Sequence, residues 1–180
     1  SEESNKAPIT PYCVSKLASE YLLDFYSRQG LNYIGFRYFN VYGLRQHTDA
    51  YYTSVIIHFL KRILSGKKPV IDGDGSQSMD FINVKDICRA NLLAIKSKTK
   101  NEIFNLGTGI STSIKQITQI LIDQIDKKIV PEFRPRDSIV TERKADISKA
   151  EKLLDFKYQI SFKEGLHELI DDIQKNKENY

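Results

Sequence analysis

Hydrophobic runs of two different periods take turns along this chain. Val14, Leu17, Ala18, Tyr21, Leu22 and Phe25 recur at helical spacing, with Thr10 and Pro11 before them and Gly30 after. Threonine is a natural N-cap, proline a natural first helical residue and glycine a natural stop, so a helix is predicted from Pro11 towards Gly30. A strand is predicted over 31–37, then a long aromatic loop over 38–52. Helices are also predicted from Ser54 to Leu64, from an Asp86 cap to Lys96 and from a Ser113 cap to Ile125. Short extended runs at 68–71, 80–84, 102–106 and 128–133 alternate with them, with turns at Asp72–Gly75 and Gly107–Gly109. Two capping boxes, Ser148 with Glu151 and Ser161 with Glu164, close the chain, the second opening a helix through Leu166, Leu169, Ile170 and Ile173. Such alternation makes the fold class α/β, and the weak strand continuity in the middle predicts part of one layered sheet plus a smaller mixed lobe.

Composition removes several function classes. The chain of 180 residues is 41% hydrophobic, enough to bury a core, and has no apolar run long enough for a membrane helix. Its 27 Lys and Arg against 23 Asp and Glu leave +4, spread along the first two thirds rather than gathered in the basic stripe that nucleic acid selects. Neither a membrane nor a nucleic acid is therefore an expected partner. The two cysteines, Cys13 and Cys88, cannot make a disulfide framework and read as small buried hydrophobes of a reduced, cytoplasmic protein. His47, His58 and His167 share no metal-ligand spacing, so no metal site is predicted.

Tyr12 and Lys16 lie four residues apart, on one face of the first helix and one turn from each other. A phenol ionises near pH ~10, and bringing such a group to ~7 takes about 4 kcal/mol of differential stabilisation. A neighbouring ammonium in a low-dielectric site acts in that direction, which makes the pair a device for proton transfer in hydroxyl–carbonyl chemistry. On spacing alone the pair reads as a surface tyrosine beside a solvated lysine, because Tyr-x-x-x-Lys is a common pattern. Gly107-x-Gly109, after a strand and before a helix, imitates half of a dinucleotide fingerprint, but Thr112 stands at the third glycine and no acidic strand end follows. It reads as a structural turn.

Wider segments carry a family resemblance. Pro11-Tyr12-Cys13-Val14-Ser15-Lys16-Leu17-Ala18-Ser19-Glu20 resembles the catalytic helix of the extended short-chain dehydrogenase/reductases, the group of nucleotide-sugar epimerases and dehydratases. Arg37-Tyr38-Phe39-Asn40-Val41-Tyr42-Gly43, the turn and strand from Gly73 to Asp86, Phe104 to Gly109, Ala145 to Ala150 and Ser161 to Leu166 resemble later segments of that family, in order. The resemblance implies UDP-glucose 4-epimerase-like chemistry: NAD-dependent epimerisation of a nucleotide-diphosphate sugar through a transient keto-sugar. It implies Tyr12 as acid/base and Lys16 as the group that binds the nicotinamide ribose and assists Tyr12. Tyr38 and Phe39 are implied beside the nicotinamide, although both also suit core packing. Asn40, Ser54, Val55, Val70, Asp72 and Arg134 are implied on the nucleotide-sugar side, a UDP-sugar by preference.

The same resemblance implies only the C-terminal part of a family member: the end of a Rossmann-type parallel sheet with a smaller mixed α/β substrate-binding lobe. Residues 1–42 then form the tail of the NAD-binding domain and 43–180 mainly the lobe, with about 80–97 returning to the first domain. On that expectation the Gly-rich NAD loop precedes Ser1, this chain alone is inactive, and the full-length protein is a homodimer through the tyrosine-bearing helix. Met79 departs from the pattern, since many members carry arginine before the Asp-aromatic strand, and Arg136 stands where glycine is common. Either another cation, Arg136 being one candidate, then meets the diphosphate, or the diphosphate is held differently. A dehydratase or decarboxylase of the same family, and a non-catalytic sugar-nucleotide-binding fragment, are the alternative readings.

Overall fold

The computed structural model describes residues 1–47, 54–135 and 141–176. Among the described residues six helices and eight short strands follow one another: α1 Pro11–Ser27, β1 Ile34–Tyr38, β2 Asn40–Tyr42, α2 Val55–Leu64, β3 Val70–Asp72, β4 Ser78–Asn83, α3 Val84–Lys96, β5 Glu102–Leu106, β6 Ser111–Ser113, α4 Ile114–Ile125, β7 Glu132–Arg134, β8 Glu142–Arg143, α5 Ser148–Leu154 and α6 Phe162–Lys175. The caps follow side-chain chemistry. Thr10, Ser54, Ser113 and Ser161 each accept a hydrogen bond from the backbone of the first helical turn, and Ser113–Gln116 and Ser161–Glu164 are complete capping boxes. α3 starts on Asn83 rather than Asp86. Asp86 is instead buried, accepting from the Gln159 and Ile160 amides and pairing with Arg89. The predicted Ser148 box is absent, because Asp146 takes the Ser148 amide at 3.1 Å and leaves α5 without a side-chain cap.

β4 is the hub of the sheet structure. Its first half pairs antiparallel with β6 and parallel with β8, and its second half runs parallel to β2. β1 pairs parallel with β5, and β3 with β7. Alternate residues of β4 feed two cores: Phe81 joins the cluster of α2, α4 and α6 around Ile57, Leu60, Ile117 and Leu166, while Ile82 joins Phe104, Leu106, Ala150 and Phe156.

These strands correct the expected fold class. The expectation was the end of a parallel sheet with a separate small lobe. The structure has a Rossmann-type arrangement of parallel and mixed strands running from Ile34 to Arg143, nearly the whole chain. The physical reason is β4, which supplies both apolar layers from opposite faces of one strand. β2 falls inside the predicted aromatic loop, of which 48–52 lie outside the described residues, as does Arg136. Cys88 is exposed and Cys13 half-buried, so neither is the fully buried hydrophobe predicted.

Tyr42 lies at the seam of β2 and α6. Its hydroxyl reaches the Ser161 and Phe162 carbonyls at 3.5 and 3.4 Å, and burial pushes its phenol up to about 12. α6 comes so close that a Cβ on Gly165 would lie 2.3 Å from the Tyr42 hydroxyl, which leaves no room for a side chain at this contact.

Candidate functional site

α1 meets the rest of the molecule along one narrow stripe. Cys13, Leu17, Glu20, Leu23 and Ser27 are half-buried, and no residue of the helix is fully buried. The contact is fixed by Arg37 of β1, whose guanidinium grips Glu20 with two hydrogen bonds of 2.6 and 2.7 Å. Arg37 also donates to the Glu2 carbonyl, while the Glu2 carboxylate accepts from the Asn105 amide at 2.8 Å. Arg37 holds the Glu20 carboxyl below its ordinary value, chiefly by hydrogen bonding. This clamp sets the angle at which α1 presents Tyr12 and Lys16.

Tyr12 is 68% exposed, and the Lys16 ammonium sits over its ring face, 5.4 Å from the centroid. Both line a cavity of about 410 Å³ with Glu20, Phe36, Arg37 and Tyr38. Tyr38 stacks on Phe36, and its hydroxyl accepts from Asn91 at 3.3 Å. Phe39 is half-buried outside this cavity and donates its amide to the Leu106 carbonyl. The side chain of Asn40 donates to the Asp80 carbonyl at 2.8 Å, bracing β2 against β4.

A second cavity, of about 360 Å³, lies between α2, β3 and β4. It brings together Val55, Val70 and Asp72 with Gln77, Met79 and Arg143. Ser54 caps α2 immediately beside it, and Arg134 stands opposite Asp72 in the β3–β7 register. The predicted residues therefore divide between two places: Tyr12, Lys16 and Tyr38 at the first cavity, Val55, Val70 and Asp72 at the second. Glu20 and Arg37 went unrecognised as a clamp, although a carboxylate within the helix and a guanidinium in the apolar strand that follows it were a readable signal. Arg143, on a two-residue strand, carried no local signal.

Whether NAD fits can be tested on the donors present. Lys16 makes no ion pair among the described residues and, with the Tyr12 hydroxyl, offers the donor set that a ribose diol accepts. The Gly107–Gly109 loop does not suit the phosphates. The buried Asp80 carboxylate already accepts from the Thr108 and Gly109 amides at 2.9 and 2.8 Å. Among the described residues no group of three or more His, Cys, Asp or Glu is placed to hold a metal ion, and no described helix is long and apolar enough to cross a membrane.

Known proteins place this geometry in context. The model of the NAD dependent epimerase/dehydratase family matches residues 1–107. The chain belongs to that family. It is 38% identical over 174 residues to the UDP-glucuronate 4-epimerase of Thermodesulfobacterium geofontis, covering 94% of this chain and 52% of that one. The structure of the Thermotoga maritima UDP-glucose 4-epimerase with UDP-glucose superposes with a TM-score of 0.87 at 35% identity, over 94% of this chain and 55% of that one. The Bacillus cereus UDP-glucuronic acid 4-epimerase, bound to UDP-glucuronic acid and NAD, superposes with a TM-score of 0.83 at 31% identity, over 97% and 56%. These matches correct the narrower expectation of a C-terminal part only, since family likeness takes in nearly the whole of this chain. The chain spans about half the length of the relatives it matches.

Proposed function

We propose that the chain serves NAD-dependent epimerisation of a nucleotide-diphosphate sugar, in the manner of a UDP-hexose 4-epimerase. The observation that carries this reading is the exposed Tyr12–Lys16 pair, held by the Glu20–Arg37 clamp at the rim of a cavity. The relatives named above, which are UDP-sugar 4-epimerases, support it. NAD, when bound, supplies reversible two-electron oxidation of the sugar carbon. Tyr12, Lys16, Tyr38 and Phe39 are the residues proposed to hold its nicotinamide end. Tyr12 takes the proton of a sugar hydroxyl through its phenolic oxygen and gives it back once the sugar has turned over. Lys16 stabilises the negative charge on that oxygen electrostatically. Asn40, Ser54, Val55, Val70, Asp72 and Arg134 serve the nucleotide-sugar.

Two further elements belong to the same proposal. One is a homodimer through the outer face of α1, supported by the exposure of Tyr21, Leu22, Phe25 and Tyr26. The other is a cytoplasmic location, supported by two free cysteines. The test of the chemistry is Tyr12→Phe in the protein that carries this sequence. Interconversion of a UDP-sugar with its 4-epimer should fall by about 10²–10⁴-fold, the usual scale of a general acid/base. Nucleotide-sugar binding should be unchanged. Turnover that survives the substitution overturns the assignment.

A further inference from the structure

The second cavity has one wall whose charge comes from Arg143 on the two-residue strand β8. In the parallel register of β4 and β8, Met79 lies directly beside Arg143, and both line the cavity. Met79 brings no charge to this wall. The Arg143 side chain is exposed and makes no ion pair or hydrogen bond among the described residues. A planar guanidinium without a partner, at the mouth of a cavity, is the group best suited to a forked contact with phosphate oxygens. The rest of the lining fits the remainder of such a ligand. Val55, Phe59 and Val70 give an apolar surface for a flat base. Asp72 and Gln77 give an acceptor and an amide for hydroxyls and base edges. Arg134, in register with Asp72 on β7, does not line the cavity and is paired with Glu132 at 3.5 Å, which leaves Arg143 as the cation of its lining. The volume of about 360 Å³ lies within the range of small-molecule sites.

We propose that Arg143 binds the diphosphate of a nucleoside-diphosphate ligand at the α2–β3–β4 cavity, supplying from β8 the positive charge that Met79 does not supply from β4. The proposal rests on the nucleotide-sugar reading above and names the residue that anchors its diphosphate.

Calorimetric titration of the 180-residue chain with UDP and with uridine separates the two. The chain should bind UDP more tightly than uridine, with the difference shrinking as salt is raised. Arg143→Gln should weaken UDP binding by about tenfold, the scale of one charge-assisted contact, and leave uridine binding unchanged. Arg143→Lys, which keeps the charge and loses the fork, should fall between. Met79→Arg added to Arg143→Gln should restore UDP binding, a rescue that a merely structural role for Arg143 would not give. Unchanged UDP affinity in Arg143→Gln, or equal losses for UDP and uridine, overturns the role of Arg143 and leaves the cavity reading standing. A chain that binds neither compound overturns both.

Discussion

Asp80 shows how one buried carboxylate can make a loop look like a nucleotide site. It is completely buried and accepts from the amides of Thr108, Gly109 and Ala145 and from the Thr108 hydroxyl. These are the donors a phosphate would seek at a Gly-x-Gly turn, and here a side chain occupies them. Gly107 is glycine for the same reason, since a Cβ there would lie 2.7 Å from an Asp80 oxygen. Asp80 thereby ties β4 to the loop after β5 and to the segment before α5. Asp80→Asn turns an acceptor into a donor facing other donors. It should cost about 3 kcal/mol, the scale of buried hydrogen bonds to a charged group left unmade. Urea unfolding should show this as a lower midpoint at an unchanged slope, and a midpoint equal to that of the parent chain would refute the role.

At the scale of elements, α1 separates what could be read in the sequence from what could not. Its start at Thr10 and Pro11 was legible because capping is local chemistry. Its inward face was not. The apolar positions at helical spacing, Val14, Tyr21, Leu22 and Phe25, turn outward, and contact runs instead through Cys13, Leu17, Glu20 and Leu23. Periodicity assigns the apolar face to the core, whereas the Glu20–Arg37 clamp decides which face the core actually receives. β2 and β8 were invisible for another reason. Three- and two-residue strands carry no period, and their partner β4 lies far along the chain. Of the candidate site, Tyr12 and Lys16 were legible from the family resemblance of the segment Pro11–Glu20 rather than from spacing alone, while Arg143 depends on a register no local pattern encodes. The clamp itself has a pH signature. Arg37 lowers the Glu20 carboxyl below 4.5, so its contribution is complete above that value and is lost as pH falls through the lowered folded value. Glu20→Gln should therefore cost about 1 kcal/mol at neutral pH after solvent screening, and nothing once the carboxyl is protonated. Urea midpoints of the two chains that stay equally far apart down to pH ~2 would contradict this linkage.

For the molecule as a whole, the outer face of α1 is an exposed apolar surface. Leu22 and Phe25 are 56% and 55% exposed, Tyr21 and Tyr26 flank them, and Phe25 and Tyr26 pack edge-on at 5.2 Å. One helix with an apolar outer face and only a half-buried inner stripe has more hydrophobic surface than its own core uses. A two-fold axis would let the same face meet itself, which is the least demanding way for one sequence to cover one patch. If the proposed homodimer forms there, Leu22→Lys with Phe25→Lys should separate it. Each buried lysine would cost a few kcal/mol, so dissociation should move by a hundredfold or more. The unfolding midpoint of the monomer should hardly move, because neither side chain is inside the core. Sedimentation velocity of the parent and doubly substituted chains at matched concentrations reads the first quantity, and urea unfolding the second. A dimer that persists with both lysines in place puts the interface on another face, whereas a monomer that also loses its fold would return α1 to a role in the core.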